Sequence, residues 1–125
     1  MVAGFLDSSI LIDVIREYAP AKVWFASQVD LAISPFVQME FVAGAQNKAD
    51  QRRALRVVAR LETVFPTQSD IEWAMRQQIA LSLSHNVGIL DCLIASVSHR
   101  MGLPLFTRNL KHFTPLLGTL AQQPY

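Results

Sequence analysis

Residues 1–13 read MVAGFLDSSILID. Val2 to Leu6 is a short, continuous apolar run of the kind a strand shows when the sheet buries both its faces. Asp7 ends the run. Beyond it Ile10, Leu11, Val14 and Ile15 recur at helical spacing, and Ser8 or Ser9 is placed to cap that helix. A buried strand that turns into a helix through an acid is the first half of a βα unit. Such a carboxylate is either a plain cap or a group at the carboxyl edge of a parallel sheet, where α/β proteins bind ligands.

The rest of the chain repeats the alternation. Pro20 opens a second short helix carrying Val23, Trp24 and Phe25. Leu31–Ile33 reads as a strand that stops at Ser34-Pro35, followed by a helix over Phe36 to Val42 that ends near Gly44 and Asn47. Asp50 to Phe65 has the clearest amphipathic pattern, with Ala54, Leu55, Val58, Leu61 and Phe65 on one side and Arg52, Arg53, Arg56 and Arg60 largely elsewhere. Ser69 to Ser84 is a long helix begun by Ser69 or Asp70. Asp91 leads another, with Leu93, Ile94, Val97 and Met101 facing inward and Gly102 and Pro104 beyond its end. Leu105–Thr107 is a strand, and a last strand is expected around Leu117–Leu120. Short apolar strands between longer helices predict an α/β domain with a mostly parallel central sheet.

Bulk properties narrow the classes. The 125 residues form one expected domain, 1–125, with 51% hydrophobic and 17% charged side chains, a globular composition whose low charge leaves apolar surface for a partner to cover. Eleven basic and ten acidic residues give a net charge of +1, which argues against tight non-specific nucleic-acid binding but not against a metal-using enzyme acting on it. The lone Cys92 excludes an internal disulfide, fits a reducing cytoplasm and reads as a small core residue. No run of about 18 apolar residues suggests a membrane span, and no secretory signal is evident.

In a parallel sheet, Asp7 and Asn109 fall at the carboxyl edge, and Asp91 and Glu40 reach it from helices. Glu40 lies among Met39, Phe41 and Val42, and Asp91 among Leu90, Cys92 and Leu93, so each acid is expected to face a polar cavity. Carboxylates brought together repel and call for a cation; oxygen donors select a hard ion such as Mg2+ or Mn2+. Such an ion activates water and stabilises charge on a phosphodiester. Asp13 is expected near the rim of this cleft or as a cap partner. His85, His99 and His112 lack the spacing of a transition-metal site; His99 reads as structural, and His112 as a neighbour of Asn109 with no assigned role.

Four segments in this order, FLDSSILID, SPFVQMEFVAG, GILDCLIAS and LPLFTRNLKHF, resemble a PIN domain, and in particular the VapC-type toxins of type II toxin–antitoxin pairs. The resemblance implies a three-layer α/β/α sandwich with a small central sheet and a Mg2+- or Mn2+-dependent endoribonuclease. It places Asp7, Glu40 and Asp91 at the acidic, metal-holding positions. Asn109 stands where many members carry a fourth acid; it lacks the charge, which weakens affinity chiefly for a second ion. Ser8, Thr107 and Arg108 are expected to contact substrate. Implied partners are RNA, a VapB-type antitoxin whose tail covers the cleft, and a second copy in a homodimer.

The rivals fit less well. A haloacid-dehalogenase-type phosphotransferase needs a second acid two residues after the first, where Ser9 stands. A receiver domain needs paired acids after its first strand. A PIN-like RNA-binding module with little or no catalysis is the remaining alternative.

Overall fold

A computed structural model describes every residue from Met1 to Tyr125. The elements are β1 (Gly4–Leu6), α1 (Ser8–Ile15), α2 (Ala19–Ser27), β2 (Leu31–Ile33), α3 (Pro35–Ala43), α4 (Lys48–Val58), β3 (Glu62–Thr63), α5 (Gln68–His85), α6 (Ile89–Met101), β4 (Leu105–Phe106), α7 (Leu110–Leu117), a 3-10 turn (Gly118–Leu120) and β5 (Ala121–Gln122). All five strands are parallel, in the order β3-β2-β1-β4-β5. This is the expected α/β architecture of a PIN-like sandwich.

The strands read as buried runs are buried runs. Phe5, Leu6, Ala32 and Ile33 have almost no exposed surface. They join Ile10 and Leu11 of α1, Val37 of α3, Val97 of α6 and Phe113 of α7 in one core cluster. Helices α5, α6 and α7 pack on one another, and α1 packs against α2, α3 and α4. Close approach of β1 and β4 requires Gly4: a Cβ there would lie 2.7 Å from the Phe106 ring.

Five local expectations are revised. The helix expected over Asp50–Phe65 begins at Lys48 and stops at Val58. The chain then forms β3, whose Glu62 and Thr63 pair with Ala32 and Ile33. Helical spacing continues past Val58, but the open edge of β2 offers ladder hydrogen bonds that end the helix, and Phe65 finishes exposed. Second, α5 is capped by Thr67, not by Ser69 or Asp70. Thr67 Oγ1 accepts from the Asp70 N–H at 3.2 Å while Asp70 Oδ2 accepts from the Thr67 N–H at 2.9 Å, a reciprocal capping box. Third, Asp7 rather than either serine caps α1, its Oδ1 accepting from the Ser8 N–H at 2.8 Å. Fourth, the terminal strand is Ala121–Gln122, and the segment before it is α7, which contains Pro115. Phe113, Leu116 and Leu117 are buried from this helix, and that packing outweighs the proline's missing donor. Fifth, on α6 Ile94 and Val97 face inward as expected, whereas Met101 is exposed.

Candidate active site

Register builds the site. Leu6 pairs with Phe106 in the parallel β1–β4 ladder, so the residues that follow, Asp7 and Thr107, emerge side by side. The Asp7 N–H donates to the Phe106 carbonyl at 3.0 Å, and the Thr107 N–H to the Gln122 carbonyl at 2.9 Å, which fixes both backbones. Asp7 is 5% exposed and Thr107 fully buried.

Asp7 is held by neutral donors alone. Thr107 Oγ1 and Ser9 Oγ each donate to its Oδ2 at 2.8 Å, and the Ser8 N–H donates to Oδ1. A carboxylate has about four acceptor sites, so one on Oδ1 stays open. A buried anion with unspent acceptor capacity and no cationic partner is an electrostatic sink for a cation.

Two branches leave this centre. On one, the Ser8 hydroxyl donates to Glu40 Oε1 in a short contact. Ser34 caps α3 through the Val37 N–H at 3.3 Å; that helix packs on α1 and so carries Glu40 to Ser8. On the other branch, the Asn109 N–H donates to Thr107 Oγ1 at 2.9 Å, the Asn109 side-chain amide lies 3.1 Å from His112 Nδ1, and the same nitrogen lies 3.2 Å from Asp91 Oδ2. A protonated Nδ1 donates to Asp91, whereas a bare Nδ1 accepts from Asn109. One nitrogen cannot do both at once, so the imidazole proton decides which neighbour it holds.

The expected gathering of Asp7, Glu40 and Asp91 into one ion-holding group is absent: no three His, Cys, Asp or Glu side chains stand close enough to share an ion. Glu40 is an exposed residue of α3 that lines a groove beside α1 and is turned to Ser8. Asp91 accepts from the Gly88 N–H at 3.3 Å and faces His112 Nδ1 at 3.2 Å through the same oxygen, Oδ2, which leaves its Oδ1 for a further partner. The donors still suit a hard divalent ion in kind, and Mg2+ is commonly held by one or two carboxylates with water completing its shell. Asp7 and Asp91 are the residues that would hold it, with Glu40 acting through Ser8.

Three contributors carried no sequence signal strong enough to assign them. Ser9 joins Asp7 to the Arg108 N–H, which it accepts at 3.1 Å. His112 links Asn109 to Asp91, and its place three residues beyond Asn109 on α7 was the one available clue. Asp13, expected at the rim, takes a hydrogen bond from Arg108 Nη1 at 2.9 Å and another from the Tyr125 hydroxyl at 2.8 Å. His99 and Cys92 are structural as read: His99 stacks on Trp73 with ring centres 4.4 Å apart, and Cys92 is buried, with burial and neighbouring Asp91 pushing its thiol pKa up.

An all-parallel sheet whose carboxyl edge carries a buried aspartate, with further acids on flanking helices, defines an α/β protein with an acidic edge site. The chain belongs to the PIN domain family, whose pattern matches residues 4–114. No curated protein matches it. Among solved structures it is similar to a chain of a toxin–antitoxin complex from Klebsiella pneumoniae, with 25% identity, a TM-score of 0.78 and 98% of each chain covered. It shares its fold with the DNA-bound VapBC of Salmonella typhimurium at 24% identity and a TM-score of 0.73, covering 90% of this chain and 91% of that one. It shares it also with Mycobacterium tuberculosis VapC20, a toxin that cleaves the sarcin–ricin loop, at 16% identity and a TM-score of 0.65, covering 79% and 83%.

Proposed function

We propose that this PIN domain is a metal-dependent endoribonuclease and the toxin of a toxin–antitoxin pair. The observation that carries the reading is Asp7, buried at the end of the central strand, held only by neutral donors and keeping an acceptor site open beside Thr107. A bound Mg2+ or Mn2+ would lower the pKa of a water and offset charge on the phosphate. The chain's own groups have distinct tasks. Asp7 and Asp91 supply the negative field. Thr107 and Ser9 fix the Asp7 carboxylate in one orientation. Glu40, exposed and tied to Ser8, accepts a proton from water at the edge of the site. Asn109, which brings no charge, positions a water or a phosphate oxygen.

Two surfaces support the partner readings. Beside Glu40, α1, α3 and α4 line a groove of about 510 Å³ in which Glu17, Glu40 and Asp50 stand with Arg16 and Arg53 among Ile12, Ile15 and Phe41; it suits an extended, partly apolar segment that brings a basic side chain to the acids, as an antitoxin tail would. On α5, Met75, Ile79 and Leu83 are exposed at four-residue spacing, an apolar stripe that suits pairing with a second copy.

The test is cleavage of a total RNA pool by the purified, antitoxin-free chain with Mg2+, with Mn2+ and with EDTA, beside Asp7→Asn. Discrete fragments that require metal and vanish in the variant are expected. Metal-independent binding without cleavage would favour the RNA-binding module instead.

A further inference from the structure

Arg108 sits at the rim of the site in an unusual bracket. Its backbone N–H is tied to Ser9 Oγ, itself bonded to Asp7. Its guanidinium donates from Nη1 to Asp13 Oδ2, and the Tyr125 hydroxyl donates to that same oxygen. The guanidinium carbon lies 5.3 Å from the centre of the Tyr18 ring and 5.6 Å from that of Tyr125, within cation–π range of both. Trp24 backs Tyr125 with ring centres 6.1 Å apart. Residues from α1, the α1–α2 junction, the β4–α7 turn and the segment after β5 thus converge on one cation.

That cation is held but not used up. Of the five guanidinium N–H donors an arginine carries, the protein engages one, Nη1 toward Asp13, and the side chain is 40% exposed. Asp13 follows Asp7 by six residues along α1, about 9 Å of helix. The free donors therefore lie beside the reacting centre, not on it.

We infer that Asp13 and Tyr125 are positioning residues that aim the Arg108 guanidinium at a backbone phosphate flanking the one cleaved. The inference rests on the ribonuclease reading for the identity of the strand. Asp13 anchors one edge of the guanidinium, the Tyr125 hydroxyl fixes the anchoring oxygen, and the two rings restrict the plane. An arginine fixed in this way loses less rotamer freedom when it meets a phosphate, and its planar fork matches phosphate oxygens. Burial and the bond to Asp13 push the Tyr125 hydroxyl pKa well above its usual value, which keeps it a neutral donor throughout the working range. A purely structural role, in which the cluster merely pins the segment after β5 to α1, makes a different prediction.

The experiment is an anisotropy titration of labelled oligouridylate in EDTA, over a series of KCl concentrations, for wild type, Arg108→Ala, Tyr125→Phe, Asp13→Asn and the Arg108→Ala/Tyr125→Phe double variant. Circular dichroism and thermal melting accompany each. Arg108→Ala weakens binding about tenfold or more and lowers the slope of log affinity against log salt by about 0.7, one single-strand phosphate. Tyr125→Phe weakens binding about threefold to tenfold in the wild-type background and has no effect once Arg108 is gone, because it acts through Arg108. An undiminished Tyr125→Phe effect in the Arg108→Ala background, an unchanged salt slope in Arg108→Ala, or no binding of oligouridylate by the wild type would each overturn the inference. Metal-dependent cleavage by the wild type together with wild-type binding by Tyr125→Phe and Asp13→Asn overturns it while leaving the ribonuclease reading intact. Binding with the expected variant pattern but no cleavage under either metal does the reverse.

Discussion

The Thr107 hydroxyl donates to Asp7 Oδ2 at 2.8 Å across 100 positions of sequence. Both residues are buried, so the bond sets the orientation of the carboxylate on which the proposed chemistry depends. Thr107→Val, which keeps the shape and removes the donor, should destabilise the fold by about 1–3 kcal/mol and lower cleavage by about tenfold, while Thr107→Ser preserves both. Urea denaturation and RNA cleavage measured on the same preparations check this; unaltered cleavage in Thr107→Val would mean that Asp7 is oriented without it.

Asp7→Asn removes the charge but keeps the helix cap. Cleavage should fall by a factor of about 10³ or more, since the ion loses its principal ligand, while the amide NH2 facing the Thr107 and Ser9 hydroxyls in place of Oδ2 lowers stability by about 1–3 kcal/mol and leaves the chain folded at assay temperature. Calorimetric titration with Mn2+ should show the same variant failing to bind the ion.

Asp70 lies far from that chemistry and matters to the fold. It is 3% exposed, completes the capping box of α5, and accepts from Arg100 Nε at 2.9 Å on both oxygens. Arg100 is partly exposed, so solvent screens the ion pair, and the cap and the buried acceptor dominate. Asp70→Ala should cost about 2 kcal/mol of stability and leave cleavage at low temperature unchanged, as read from chemical denaturation beside an activity assay.

Alkaline pH should destabilise the protein through two weak acids, the buried Cys92 and the half-buried Tyr125. Burial, with Asp91 adding to it, raises the Cys92 thiol pKa above its ordinary value; burial and the bond to Asp13 raise the Tyr125 hydroxyl. Both are neutral in the folded chain where the unfolded chain would ionise. Above about pH 9 the unfolded state therefore binds fewer protons, and stability falls as pH rises. Cys92→Ala should flatten the first part of that decline. The native thiol should also react with a disulfide reagent only as fast as the fold opens.

The apolar stripe of α5 is tested by charge. Ile79→Glu replaces a side chain that is 77% exposed, so the folded monomer should tolerate it within about 0.5 kcal/mol. Sedimentation should show the wild type as a dimer and the variant as a monomer; a wild-type dimer that survives the change would place the interface elsewhere.

The sequence by itself determined the alternation of short buried strands with helices, and with it a parallel sheet whose carboxyl edge carries Asp7, Thr107 and Asn109. Periodicity and Gly or Pro punctuation are local signals, and β1, β2, β4, α3 and α6 could be read from them. Tertiary structure alone decided the edges of the sheet, because Glu62–Thr63 of β3 and Ala121–Gln122 of β5 contain no buried apolar residue and form strands only where a neighbour offers a ladder of hydrogen bonds. It decided equally how the acids meet. Residue types and spacing suggested one group of three carboxylates. Packing of α3 on α1 instead gave Glu40 to Ser8, and α7 inserted His112 between Asn109 and Asp91. Likewise Asp13 is separated from Tyr125 by 112 positions. Side-chain hydrogen bonds act over about 3 Å, and which groups fall within that distance depends on how helices seat on the sheet, a property of the whole core that no local pattern of residues encodes.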